Sequence, residues 1–247
     1  MKNLGLLIIT NMRNNLRSKI ANILYFVITL MLIGILAAFL CIFLIQPELN
    51  SAIPDKAKLE LYLCLIMYSA SILGLGVYLN SIGYQTMIKE KSRGNIQSLL
   101  ATTIRIKDIW IGKSMSVFIP GLILGELLTL IVLIVINYIY FVPTIGFLFN
   151  PWMAVSCFIA VPLIYFCLSL LVYLIGLTGK PANGMLIAQV FLPVVLSGMI
   201  NILLRTNILD GTSWSFMLAN IGIAAIIAII VIFIRSRLSK ERVVLSY

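Results

Sequence analysis

An all-α membrane protein with six transmembrane helices is the fold this sequence predicts, on three observations. Apolar residues make up 62% of the chain and mean hydropathy is +1.11, well above the roughly half-apolar composition of soluble domains. Six apolar runs each reach the roughly 20 residues that one crossing requires. The 18 basic residues are parcelled into the gaps between those runs, where they act as topology signals. A net charge of +10 therefore does not point to nucleic acid, which needs a basic face on a soluble fold with exposed stacking residues.

Residues 1–19 predict an N-terminal interfacial helix. Gly5, Ile8, Ile9, Met12 and Leu16 share one helical face, while Lys2, Arg13, Asn14 and Arg17 lie mostly away from it, a pattern suited to the headgroup plane. The apolar run that follows is too long for a cleavable signal, so this start is expected to remain in the mature chain. Spans are predicted at about 20–45, 61–88, 114–140, 152–175, 181–204 and 211–234. The third carries a Pro120-Gly121 pair expected to bend it. The fourth follows a break at Pro151-Trp152, and Arg235 and Arg237 close the sixth.

The longest polar interruption is residues 89–113, between spans two and three. It holds Lys89, Lys91, Arg93, Arg105, Lys107 and Lys113 against Glu90 and Asp108, which marks it as a cytoplasmic loop. Within it Ile96, Leu99, Leu100 and Thr103 fall at helical spacing, preceded by Gly94 and Asn95 as start signals. A short amphipathic helix there either lies on lipid or docks into a groove on a soluble partner. With both termini inside, the inner segments hold fifteen basic residues and the outer segments only Lys56, Lys58 and Arg205. That asymmetry orients the chain.

The chain has no histidine, which removes Ser-His dyads, His-rich zinc sites and histidine-ligated haem. No catalytic or metal site is expected, and no enzyme. Gly112-Lys113-Ser114 resembles the end of a phosphate loop, but Lys107 stands where the loop's first glycine belongs. Cys41, Cys64, Cys157 and Cys167 all lie in spans without metal-ligand spacing. Cys41 and Cys64 fall near the outer ends of neighbouring spans, and sequence alone does not set their separation. Glu126 is the one ionisable residue well inside a span, roughly 18 Å beyond Ser114 at about 1.5 Å per residue. At that depth it is either a translocation residue or a hydrogen-bonded packing residue beside Gly121 and Gly125.

Glu90, Gly94, Leu99-Leu100, Thr102, Ile104, Ile109 and Gly112-Lys113 resemble the segment between the second and third spans of ABC-2 type transporter permeases. Asn95 and Thr103 stand where that family usually has threonine and proline. Leu192-Pro193 followed by Ser197-Gly198 is similar to the family's pattern near the outer end of span five. The length, six spans, cytoplasmic termini and an interfacial helix ending in Leu16-Arg17-Ser18-Lys19 extend the resemblance over essentially the whole chain.

The resemblance implies a permease subunit of an ATP-driven transporter, usually an exporter, in the cell membrane. Two permeases, alike or different, would pair above two separate ATPase subunits that carry ATP and Mg; this chain would bind no cofactor itself. Glu90, Gly94, Leu99, Leu100, Thr102, Gly112 and Lys113 would belong to a coupling helix and its flanks, seated in an ATPase groove. Two readings from other classes stay open. One is a stand-alone secondary transporter using Glu126, which would favour internal repeats or broken helices; the other is a scaffold whose basic loop binds a soluble partner or anionic lipid. Nothing in the sequence selects a substrate.

Overall fold

The computed structural model describes residues 2–17, 19–51, 53–102, 104–203, 210–236 and 238–245. Ser18, Thr103, Leu204, Arg205 and Arg237, which enter the reading above, lie outside the described residues. Helices follow in the order α1 (Lys2–Arg17), α2 (Lys19–Leu40), α3 (Gln46–Leu49), α4 (Lys56–Tyr78), α5 (Tyr84–Ser92), α6 (Asn95–Leu100), α7 (Ile106–Ile136), α8 (Pro151–Val155), α9 (Val161–Thr178), α10 (Pro181–Asn201), α11 (Trp214–Arg235) and α12 (Lys240–Leu245). There is no strand among the described residues.

Six helical stretches are long and apolar enough to cross a membrane: Asn22–Leu49, Lys56–Lys91, Ile106–Phe141, Pro151–Thr178, Pro181–Asn201 and Trp214–Arg235. The second and third run well past the apolar segments that predict them. Local capping explains the second: the Asp55 carboxylate accepts the Ala57 N–H at 3.0 Å, so the helix begins five residues ahead of its apolar run. Asn150 likewise opens α8 by accepting from Trp152 N at 2.9 Å, with Pro151 at a first-turn position that needs no donor.

Four of the long stretches contain one π-helical turn, at Cys41–Ile45, Leu79–Gly83, Asn137–Phe141 and Ser156–Ala160. Such turns offset the helical hydrogen-bond register, and side chains occupy the carbonyls around them. Tyr173 donates to Gly83 O at 3.1 Å and Ser71 to Cys157 O at 3.0 Å. The Asn137 amide donates to Leu133 O and its oxygen accepts Leu148 N at 2.7 Å, tying the turn to the loop beyond it. α7 continues through Pro120. Proline has no N–H for the carbonyl four residues back, and that carbonyl, Ser116 O, accepts from the Asn15 side chain of α1 at 3.3 Å.

The spans differ in how much of each is buried. α4 and α9 are buried on most of their faces, whereas α2, α10 and α11 are buried along a narrow strip. The fifth span, buried least, is about as polar as the second, so hydropathy does not follow burial throughout; the second, buried most, is less apolar than the first and sixth. Its polar groups are bonded across helices: Tyr68 to Asn220 Oδ1 at 2.7 Å, Tyr25 to Gly74 O at 2.6 Å, Tyr165 to Ile72 O at 3.0 Å. A chain whose surroundings are hydrocarbon turns its polar atoms inward and satisfies them there. The four cysteines are free and buried, and Cys64 Sγ donates to Gly211 O at 3.1 Å.

Candidate functional site

Two places bring chemistry-bearing residues together: the corner between spans two and three, and the surroundings of Glu126. At the corner, α5 must stop and the chain must reverse. Gly94 does this with φ of +70°, in the left-handed region that glycine enters without a Cβ penalty. α6 then occupies Asn95–Leu100. Thr102 ends it by donating from Oγ1 to Leu99 O at 2.6 Å and accepting Ile104 N at 3.4 Å.

The charged residues of this corner are partly internal. Lys113 is 3% exposed and forms an ion pair with Glu90, also buried. The pair fastens the end of α5 to the third turn of α7. Lys91, next along α5 and 4% exposed, donates to Gly176 O at 3.2 Å and Gly179 O at 2.5 Å. Those carbonyls lie at the C-terminal end of α9, where a helix leaves acceptors unsatisfied and favours a cation. Gly112 leaves room on α7 for the Leu7 side chain of α1. Trp110 Nε1 donates to Leu170 O at 2.9 Å. The corner therefore joins spans two, three and four and α1 into one packed unit.

The apolar side of α6 faces the chain itself. Ile96 is 1% exposed and Leu100 8%, both in the main core, with Leu99 half-buried against it. From the far end of the sequence, Lys240 of α12 donates to Leu100 O at 3.3 Å, and Leu238 and Val243 are buried in the same core. Arg93, Asn95, Gln97, Ser98, Ala101, Thr102, Arg105 and Lys107 remain exposed.

Glu126 lies on α7 one residue after the closest approach of α7 to α4. Its Oε1 is 3.4 Å from Ser71 Oγ, and Ser71 also donates to Cys157 O at 3.0 Å. A hydroxyl has one hydrogen. With that hydrogen on the nearer Cys157 carbonyl, a full bond to Glu126 requires the carboxyl to be the donor. Glu126 Oε2 is buried and has no hydrogen-bond partner among the described residues. Spans two, three and four thus meet at the Ser71 hydroxyl, beside this carboxyl group.

Of the residues singled out from sequence, Glu90 and Lys113 come together as a pair, and Gly94, Leu99, Leu100, Thr102 and Gly112 build the same corner. Glu126 stands apart from it. Sequence reading missed Lys91 as a helix-end cap, Ser71 as the Glu126 neighbour, and Asn15 and Lys240 as ties. A faint signal existed for Ser71, since Ser69 and Ser71 are the polar pair in mid-span two; no pattern marks Asn15 or Lys240. No protein-family model, curated protein or solved structure matches this chain.

Proposed function

We propose that this chain is the membrane subunit of an ATP-driven transporter of the ABC-2 permease class, with the 89–113 corner as the seat of a separate ATPase. The observation that carries the reading is the corner itself. Residues that carry the family resemblance build it: Glu90 and Lys113 join α5 to α7 and Gly112 seats Leu7 of α1, while Lys91 and Trp110 add the ties to span four, so the short helix is fixed to three spans. A junction of that kind can pass a push at α6 to spans two, three and four together, which an ATPase acting from below requires.

In this reading both termini and the corner are cytoplasmic, by the distribution of positive charge, and the protein resides in the cell membrane. α1 lies in the headgroup layer, since Leu6, Ile9 and Leu16 are exposed beside Arg13 and Arg17 while its opposite side packs on α7. A second permease subunit, identical or not, completes the pathway, and ATP and Mg belong to the ATPase. Export is the expected direction, and the cargo is open.

Purification of this chain from its native membranes, identification of any nucleotide-binding ATPase that accompanies it, and reconstitution of the two test the proposal. A stable complex whose ATP hydrolysis rises several-fold over the free ATPase is expected. Failure of the two to assemble, with both well folded, overturns it. A stand-alone carrier is the second reading, favoured by the unpartnered Glu126 oxygen. Substrate or proton flux by the purified chain without any ATPase would establish it.

A further inference from the structure

The contact between α6 and its partner has to be made by whatever the chain leaves exposed there. The leucines do not qualify on their own. Ile96 and Leu100 are buried in this chain and Leu99 is half-covered. From Arg93 to Lys107 the sequence contains no acid. Arg93, Arg105 and Lys107 are exposed, interleaved with the exposed polar residues Gln97, Ser98 and Thr102. Of the two acids nearest in sequence, Glu90 is paired with Lys113 and Asp108 is half-buried in the first turn of α7; exposed Glu241 of α12 stands beside Lys240, on the Leu100 side of α6.

The height of this surface distinguishes lipid from protein. Lys56–Lys91 and Ile106–Phe141 are each 36 residues of helix, roughly 54 Å at about 1.5 Å per residue. A bilayer is about 30 Å of hydrocarbon and about 40–45 Å with headgroups. If the hydrocarbon is entered at Leu61, where the apolar run begins, its far edge falls near residue 81. Ser92 then stands roughly 16 Å past that edge, beyond a headgroup layer of about 5–8 Å. α6 is strung between that end of the second stretch and the start of the third at Ile106, which places its open face in water.

We infer that the tip of the corner is an electrostatic docking surface for an acidic groove on a soluble protein subunit, contacted through Arg93, Arg105, Lys107 and the polar face of α6. The inference rests on the permease reading for the identity of that subunit, the ATPase. It adds the chemistry of the groove. Exposed charges of one sign steer association and make it salt-dependent. A groove lined by carboxylates at the top of the ATPase is the complement.

The experiment compares parent, the triple variant Arg93→Glu/Arg105→Glu/Lys107→Glu, and the single variant Lys56→Glu, a charge reversal at the exposed far end of the Lys56–Lys91 stretch, each in nanodiscs with the ATPase identified as its companion. Size-exclusion profile and helical circular dichroism check that all three fold. Parent affinity is expected to fall at least tenfold between 50 and 500 mM salt, the triple variant to bind at least tenfold more weakly at low salt, and Lys56→Glu to stay within about threefold of parent. Lysines placed on the ATPase groove in exchange for its acids should restore binding to the triple variant. Salt-insensitive parent binding, or normal binding by the triple variant, overturns the electrostatic contact and leaves the permease reading standing. A parent chain that binds no ATPase at any salt overturns the permease reading. If charge reversal matters in phosphatidylserine nanodiscs and not in phosphatidylcholine, the basic residues serve lipid and the proposal fails.

Discussion

Gly74 of α4 and Gly125 of α7 meet backbone to backbone: a Cβ on Gly74 would stand 2.9 Å from the Gly125 Cα. That distance sets how closely spans two and three approach, and through it where Glu126 meets Ser71. Close approach of small residues replaces the hydrophobic drive that helices lack in lipid. Gly74→Ala is expected to cost about 1–3 kcal/mol through overpacking, since backbone on the facing helix cannot swing aside. Gly34→Ala, with nothing within 4 Å of its added Cβ, should be neutral or slightly stabilising. Thermal unfolding in detergent reads both, and equal melting temperatures for the two variants would refute this account of the contact.

The Glu90–Lys113 pair is buried, so losing one partner strands the other. Lys113→Met and Glu90→Gln are each expected to destabilise by about 3–5 kcal/mol, while the double change should recover part of that loss. A double-mutant cycle on thermal stability measures the coupling. Strict additivity of the two single changes would mean that the charges do not sense each other.

Glu126→Gln keeps the size of the side chain and supplies an N–H for Ser71, so it should assemble like the parent. Glu126→Leu removes a polar group from mid-span, and Ser71 keeps its Cys157 carbonyl, so no buried donor is stranded. Its melting temperature is expected to match or exceed that of the parent, because a carboxyl at that depth is costly on insertion scales, by about 2.5–3.5 kcal/mol when charged. On the transporter reading with Glu126 in the pathway, transport by the Leu variant should fall at least tenfold. Normal transport by both variants between pH 6 and 8 would reduce Glu126 to packing.

Topology is open to direct labelling. In a background without the four native cysteines, a cysteine at position 93 should react with an impermeant maleimide only after the membrane is opened. Reaction in intact cells would invert the orientation inferred from the basic residues.

Composition alone determined that this is a helical chain with six membrane-length segments, because the length and apolarity of a span are local properties and need no neighbour to be read. The basic corner between spans two and three was legible for the same reason. Which side of each helix faces the protein was not. A soluble helix announces its buried face by where its apolar residues lie, but in lipid both faces are apolar and that signal vanishes. For α1 the apolar face of Gly5, Ile8, Ile9, Met12 and Leu16, expected at the headgroup plane, did not say which side packs on α7; buried Asn15 marks that side, while Ile9 and Leu16 are exposed. The uses of the polar residues were equally hidden. Lys91 capping α9, Lys240 reaching Leu100 O and Ser71 beside Glu126 are bonds across 85, 140 and 55 residues of sequence. Only the tertiary structure decides them, because buried donors in an apolar medium take whichever acceptor the packing of distant helices brings within reach.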